Sequence, residues 1–128
     1  MNIIEFCINN YTDFKNFPFD EISEVRLYEL FDLDISSNIL DLFFIKKKFS
    51  EEFLEYYKDK LNWTLISRYQ LLSEEFIRKH KNKVNWNNIT RFQVLSDEFL
   101  YEFKDYVDWY LIIIREYEMY NVLSNREI

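Results

Sequence analysis

The chain has 128 residues, of which 48% are hydrophobic and 20% aromatic, so it has room for one domain with a well-filled core. It contains no glycine and a single proline, which excludes glycine-rich nucleotide-binding loops and turns that depend on glycine. The net charge of -7 argues against a general affinity for nucleic acid or anionic membranes and favours basic partners.

The first part of the chain is predicted to cap the structure. Residues 1–19 are interpreted as a strand-like or irregular segment, and residues 20–48 as two helices with a polar break at residues 36–38. Leu40 lies 23 residues before Trp63, which opens a predicted helix further along the chain. Residues 20–48 are therefore interpreted as a degenerate earlier copy of the repeat that follows.

From residue 49 onward the sequence repeats with a period of 23 residues. The segment at 49–54 returns at 72–77 and again at 95–100, and a tryptophan follows each serine of these segments by thirteen residues. Residues 123–128 echo the same opening outside the 23-residue register and are interpreted as a truncated or decayed copy. The predicted copies are residues 49–71, 72–94 and 95–117, which we call the first, second and third copy.

Each copy is predicted to be a pair of short helices. The first helix has about ten residues, with a serine N-cap and acidic residues in its first turn. Apolar positions 53, 54, 57 and 61 of the first copy share one face of that helix. The second helix opens with the tryptophan and has about two turns. The predicted N-caps are Ser50, Ser73 and Ser96 for the first helices, and Asn62, Asn85 and Asp108 for the second helices.

A unit of this size cannot bury its apolar face alone, so the copies are predicted to stack. The fold class that we predict is all-α: a small solenoid of stacked short helix pairs, with degenerate capping regions at both ends. The chain is predicted to be a single domain, residues 1–128. Its N-terminal segment and cap are residues 1–48, the three copies occupy residues 49–117, and its C-terminal cap is residues 118–128.

The strings LSEEFI, VNW and ITRFQ within residues 72–93 resemble a short tandem helical repeat seen in proteins of large DNA viruses, phages and low-GC bacteria. The resemblance covers residues 49–117 and implies a helical repeat protein used for binding. The third copy departs from the pattern, because Ile114, Arg115 and Glu116 replace the arginine, aromatic and glutamine residues of the earlier copies.

No set of residues in the sequence predicts catalysis, a cofactor or a metal site. His80 is the only histidine, which excludes a two-histidine zinc site and the HExxH motif. Its slot in the other copies is held by Tyr57 and Phe103, which indicates a packed ring. The acidic pair at the start of each first helix complements the helix dipole. We therefore expect a protein that is not an enzyme and needs neither cofactor nor metal.

The single cysteine, Cys7, cannot form a disulfide within the chain, which fits a reducing compartment. The sequence opens without the basic and apolar regions of a secretory signal, and no stretch approaches the roughly 20 apolar residues of a membrane span. We therefore expect a cytoplasmic protein that binds neither membranes nor nucleic acid directly.

Two kinds of residue recur in register without being N-caps. The tryptophans at positions 63, 86 and 109 are interpreted as packing wedges between copies rather than as rings that stack on bases. Arg68 with Gln70, and Arg91 with Gln93, need a partner that also recurs in register. Two interpretations stay open for them: a ladder in which glutamine binds the backbone of the next loop, and a row of side chains on the binding face.

Positions that vary between copies are the candidate specificity positions, because a repeat stack keeps its framework and varies its exposed face. At three such positions the third copy carries tyrosine, which is favoured in interfaces. The recurring arginines, and acidic residues of the N-terminal cap that could dock on a basic surface, complete the set. The candidate partner-binding residues are Tyr101, Tyr106, Tyr110, Arg68, Arg91, Asp32, Asp34 and Asp41.

The leading hypothesis is a non-enzymatic protein-binding module, encoded by a virus or phage as an inhibitor that occupies a host protein. The alternative is an acidic mimic of nucleic acid that blocks a nuclease or a CRISPR-type defence complex. A further alternative is a structural repeat protein that assembles with itself. A steep loss of affinity with salt distinguishes the mimic, and concentration-dependent oligomers distinguish the self-assembling protein.

Overall fold

The computed structural model of the protein describes residues 22–32 and 37–126. In those two ranges it consists of eight helices and contains no strand, so the expectation of an all-α fold is confirmed there. The predicted irregular segment at 1–19 and Cys7 lie outside the described residues. The helices are α1 (Glu24–Asp32), α2 (Ser37–Lys46), α3 (Glu51–Tyr56), α4 (Trp63–Tyr69), α5 (Glu74–Lys79), α6 (Trp86–Phe92), α7 (Asp97–Glu102) and α8 (Trp109–Arg126).

The first helices of the three copies, α3, α5 and α7, begin where the sequence predicts. The hydroxyl oxygen of each preceding serine accepts a hydrogen bond from the backbone N–H three residues later, at 3.1–3.2 Å. Each helix has six residues and is therefore shorter than predicted, because the chain turns at residues 57–60 and at the equivalent positions. The predicted apolar stripe continues through this turn, and its members in the first copy are all buried: Phe53, Leu54, Tyr57 and Leu61.

The second helices of the first two copies, α4 and α6, have seven residues, which agrees with the two predicted turns. Their predicted N-caps are confirmed, as is that of α8. In each case the cap side chain accepts a hydrogen bond from the backbone N–H three residues later, at 3.0–3.3 Å. The three caps are Asn62, Asn85 and Asp108.

The second helix of the third copy, α8, is longer than predicted. It has 18 residues and runs through the predicted boundary of the C-terminal cap. Gln70 and Gln93 are the C-cap residues of α4 and α6, and their side-chain amides donate to backbone carbonyl groups of the preceding copy. Glu116 holds this position in α8; its carboxylate cannot donate such bonds, and the helix continues past it to Arg126. Ser124 therefore lies inside α8, and the interpretation of residues 123–128 as the opening of a further copy is wrong for its described part.

One apolar cluster of buried residues runs from Ile22 to Val107. Around this cluster the second helices pack in a row: α2 packs on α4, α4 packs on α6, and α6 packs on α8. Ile66 and Ile89, at the centres of α4 and α6, are fully buried by this packing. None of the helices within residues 22–32 and 37–126 combines the length and the apolar character needed to cross a membrane.

The described residues 22–32 and 37–48 show two features of the copies, a serine N-cap and a bond from a glutamine of the following copy. Ser23 caps α1 by accepting the N–H of Arg26 at 3.3 Å, as the serines of the copies do. The side chain of Gln70 donates to Phe44 O and Lys47 O, which lie 23 residues before the acceptors of Gln93. The interpretation of this segment as an earlier copy therefore has direct support in its hydrogen bonds.

Candidate functional site

Glutamates in the first turn of one helix bind the serine N-cap of the next copy. Glu51 accepts the N–H of Ser73 at 2.8 Å and its hydroxyl at 3.0 Å. Glu74 accepts the same two groups of Ser96, at 2.6 and 3.1 Å. The sequence indicated only a complement to the helix dipole, so this inter-copy role was missed. The signal was present, since a serine follows each of these glutamates by 22 residues.

Buried glutamines join the end of each second helix to the preceding copy. Gln93 accepts the backbone N–H of Leu72 at 3.1 Å and donates to Ser67 O and Gln70 O at 2.9 and 2.7 Å. Gln70 makes the equivalent bonds to Phe49 N and to the backbone carbonyl groups of residues 44 and 47. The ladder interpretation is thus confirmed for both glutamines. The prediction of the next loop as partner is wrong, because the carbonyl acceptors belong to the preceding copy.

In the third copy an arginine replaces part of this arrangement. Arg115 donates to Thr90 O at 2.8 Å, and Thr90 lies 23 residues after Ser67, whose carbonyl group Gln93 binds. The residue in the glutamine slot is Glu116, which cannot donate to a carbonyl group. The departure that the sequence shows at residues 114–116 therefore preserves one inter-copy bond through a neighbouring side chain.

Hydroxyl groups in the second helices also connect adjacent copies. Ser67 donates to Trp63 O at 2.6 Å and accepts the N–H of Asn85 at 2.9 Å. Thr90 accepts the N–H of Asp108 at 3.3 Å in the same way. Both residues are fully buried, and each binds the N-cap residue of the following second helix. The sequence analysis did not single them out.

The tryptophan rings of the first two copies pack on the next copy. Trp63 lies 6.0 Å from Phe76 and 5.1 Å from His80, measured between ring centroids. Trp86 lies 5.3 Å from Phe103. The wedge interpretation is confirmed for these two rings. The third tryptophan, Trp109, keeps the shared hydrogen bond from its indole N–H to a backbone carbonyl five residues earlier but is 44% exposed.

His80 is buried, as its slot in the repeat predicts, and its ring forms a polar contact with the first copy. Its Nε2 lies 2.5 Å from a carboxylate oxygen of Glu55, while the ammonium group of Lys79 lies 3.0 Å from the other oxygen. The hydrogen bond from Lys79, followed by that from His80, holds the pKa of Glu55 at about 2, below its usual value of 4.5. Glu55 thus stays ionised and joins the first copy to the second.

We expect Glu55→Gln to lower the free energy of unfolding at neutral pH, because the ion pair with Lys79 is lost. The expected loss is only about 1 kcal/mol, because solvent screens part of this ion pair. A carboxylate with a lowered pKa stabilises the fold above its unfolded pKa and loses that effect as the pH falls. The difference between wild type and variant is therefore constant at neutral pH and shrinks between pH 4.5 and about 2. Urea unfolding across this range measures it. Glu75→Gln, at an exposed glutamate of α5, is expected to change little, and a pH-independent difference for Glu55→Gln would contradict the assignment.

Two of the three candidate tyrosines, Tyr101 and Tyr106, occupy positions that carry ion pairs in the second copy. Arg78 stands one period before Tyr101, and its guanidinium binds Glu102 of the third copy at 2.8 and 2.9 Å. Lys83 stands one period before Tyr106 and binds Asp59 of the first copy at 2.8 Å. In the second copy these residues therefore serve contacts between copies. The corresponding tyrosines are exposed, as is the third candidate, Tyr110.

The candidate arginines lie over aromatic rings at the surface. The guanidinium carbon of Arg68 is 4.9 Å from the ring centroids of Tyr69 and of Phe92 in the next copy. Arg91 lies 5.5 Å from the same Phe92 ring. Both arginines are exposed, so they are available to a partner as well as to these rings.

Two of the three acidic candidates lie in the first two helices. Asp32 is the last residue of α1, and Asp41 is half-buried within α2. Asp34 lies outside the described residues. Within residues 22–32 and 37–126, no three His, Cys, Asp or Glu residues form a group that could hold a metal ion.

Exposed apolar side chains concentrate at the C-terminal end of the described chain. The described residues include fifteen large hydrophobic side chains that are exposed, and ten of these fifteen lie between Tyr101 and Leu123. They include Ile113, which the sequence analysis did not single out, and Trp109, whose interpretation as a wedge between copies is wrong because no described copy follows it. The available signal was Met119, which stands where a further copy would need its serine. No protein-family model, curated protein or solved structure matches the chain.

Proposed function

We propose that the chain is a non-enzymatic protein-binding module, and that its copies form a small solenoid of stacked short helix pairs. The observation that carries the binding role is the concentration of exposed apolar residues after position 100. A concentration of exposed apolar side chains on a folded domain is typical of interaction sites, since exposed apolar residues are otherwise scattered singly.

The residue types at this end favour a protein partner. Tyr101 and Tyr110 are 74% and 71% exposed, and Trp109 lies beside the latter in sequence. Tyrosine and tryptophan supply large contact areas with few rotatable bonds, which is why they are enriched at the centres of protein interfaces. Residues 96–128 carry eight acidic and three basic side chains, so a partner with basic groups fits best.

The solenoid part of the proposal rests on bonds that repeat at each boundary. The glutamate-to-serine, glutamine-to-backbone and hydroxyl-to-N-cap bonds recur between the first and second copies and, in part, at the neighbouring boundaries. Repeated nearest-neighbour contacts are the property that makes a repeat stack rigid enough to present a binding surface.

We expect the double variant Tyr101→Ala, Tyr110→Ala to lose a protein that the wild-type chain retains. Immobilised wild type and variants are incubated with a nuclease-treated lysate of expressing cells, and bound proteins are quantified by mass spectrometry over a salt series. The matched control is Tyr56→Ala, because Tyr56 is 71% exposed but belongs to the first copy. Removal of two exposed aromatic anchors lowers retention about tenfold or more.

Two results would contradict the proposal. One is the absence of any protein retained above an empty support. The other is equal retention by wild type, control and the double variant, which would move binding away from the third copy. Circular dichroism of each variant checks that the fold is intact.

A further inference from the structure

The last copy leaves uncovered the surface by which each earlier copy binds its successor. We call this surface the terminal face and define it by Asp97, Tyr101, Asp105, Trp109 and Ile113. Each lies one or two periods of 23 residues after a side chain that contacts the next copy. The second helix of the third copy, α8, runs on to Arg126, and the described residues after the third copy contain no further serine-capped helix.

Two acidic positions of the terminal face correspond to bonds made in earlier copies. Asp97 lies 23 residues after Glu74, which accepts two hydrogen bonds from the serine N-cap of its successor. Asp105 lies 46 residues after Asp59, whose carboxylate binds Lys83 at 2.8 Å. Both aspartates are exposed, and within the described ranges neither has a hydrogen bond or ion pair through its side chain.

The apolar positions of the terminal face are likewise uncovered. Trp109 corresponds to Trp86, which packs on Phe99 and Phe103 of the third copy. Ile113 is 66% exposed, whereas Thr90 in the same slot is fully buried beneath the third copy. Trp109 and Ile113 are thus exposed at positions whose equivalents in the second copy pack against a following copy.

We propose that the terminal face binds the start of a helix in a partner protein, and that this helix resembles the first helix of a copy. Its features follow from the boundary between the first and second copies. They are a serine or threonine N-cap for Asp97, an aromatic ring three residues later for Trp109, and a lysine or arginine ten residues after the cap for Asp105. In the second copy these groups are Ser73, Phe76 and Lys83.

The third copy differs from the earlier ones in a way that adds to the partner's description. Ile113 replaces the buried hydroxyl of Ser67 and Thr90, which accepts a backbone N–H from the next copy. An isoleucine cannot accept that bond, so the partner presents an apolar side chain there. This inference rests on the proposed function and specifies the partner's chemistry.

A second copy of this chain is a poorer occupant. Ser50, Ser73 and Ser96 are already bound by glutamates of the preceding helices. Ser23 caps a helix without such a described partner, but the residue three positions later is Arg26 in place of an aromatic ring. Self-association through the terminal face would therefore lack the ring that packs on tryptophan.

The test uses the full chain and a fluorescent synthetic peptide with the sequence of residues 72–94 as the probe. We expect saturable binding by fluorescence anisotropy, with an affinity limited by the ordering of the free peptide. Asp97→Asn is expected to weaken binding about tenfold, because it removes a charged acceptor of two hydrogen bonds. Glu98→Gln is the matched control, since it removes the same charge from the adjacent exposed position and is expected to change affinity less than about twofold.

A second probe checks that the bond pairs the expected groups. A peptide with Ser73→Ala is expected to bind the wild-type chain about fivefold more weakly than the unchanged peptide does. Its affinity for the Asp97→Asn variant is expected to be only slightly lower still, because two changes that remove the same direct contact do not add. No saturation up to about 1 mM peptide, equal effects of Asp97→Asn and Glu98→Gln, or additive effects of the two changes would overturn the proposal.

The remaining outcomes separate this inference from the proposed function. Concentration-dependent dimers in sedimentation that Asp97→Asn abolishes would make a second copy the occupant and overturn the choice of partner. Failure of the peptide to bind, together with a retained protein that depends on Tyr101 and Tyr110, would overturn only this inference. Failure of both experiments would overturn the binding module itself.

Discussion

Replacing Gln93 with methionine is expected to lower the free energy of unfolding by about 3 kcal/mol. Methionine fills nearly the same volume, so the core stays packed while three hydrogen bonds are lost. The N–H of Leu72 and the carbonyl groups of Ser67 and Gln70 would then be desolvated without these partners. Urea unfolding followed by far-ultraviolet circular dichroism measures the change.

Asn88→Ala is the matched control for this substitution. The side-chain amide of Asn88 also donates across a copy boundary, to Thr64 O at 2.9 Å, but at an exposed site. Water can replace that bond, so we expect a loss below about 0.5 kcal/mol. If Gln93→Met cost no more than this control, the buried glutamine would not be a major connection between the copies.

Replacing Ile89 with alanine is expected to lower the free energy of unfolding by about 3 kcal/mol. Ile89 is fully buried at the centre of α6, and this helix contacts both α4 and α8. Removal of three carbon atoms leaves a cavity that helices fixed on both sides cannot close, so the lost contacts are not regained. The same unfolding experiment gives the change.

Ile113→Ala is the control for this cavity. The same atoms are removed from a side chain that is 66% exposed, so we expect a change below about 0.5 kcal/mol. Comparable losses at the two sites would mean that Ile113 is covered in solution. That outcome would also contradict the terminal face as a free surface, so the control has a bearing on the binding proposal.

The helix starts could be predicted because capping is local. A serine or asparagine side chain binds a backbone N–H only three residues away, and this geometry depends on neither packing nor partners. The N-caps at Ser73 and Asn85 could therefore be predicted from the sequence, and the structure confirms them. The buried stripe of the first helices could be predicted for the same reason, since a regular period places its residues on one face.

For contacts between copies, the sequence indicated that certain polar residues need partners but not which residues those partners are. The recurrence of Gln70 and Gln93 indicated a repeated polar contact, but its direction towards the preceding copy depends on how the helices pack. The first-turn glutamates look like dipole complements in the sequence, and their bonds to serine appear only once two copies are adjacent. Variation between copies did not by itself identify a binding position. Arg78 differs from the residues at the same position in the other copies, and yet it forms an ion pair with Glu102.

The sequence by itself determined the period, the caps, the all-helical character of the described residues and the lack of glycine-dependent chemistry. These follow from interactions within a few residues and from composition. Only the tertiary structure decided which of the equivalent residues are covered by a following copy. Trp86 and Thr90 contact the third copy. Trp109 and Ile113 hold the same positions in the third copy, no described copy follows them, and they are exposed. Equivalent residues thus become core in one copy and exposed surface in the last.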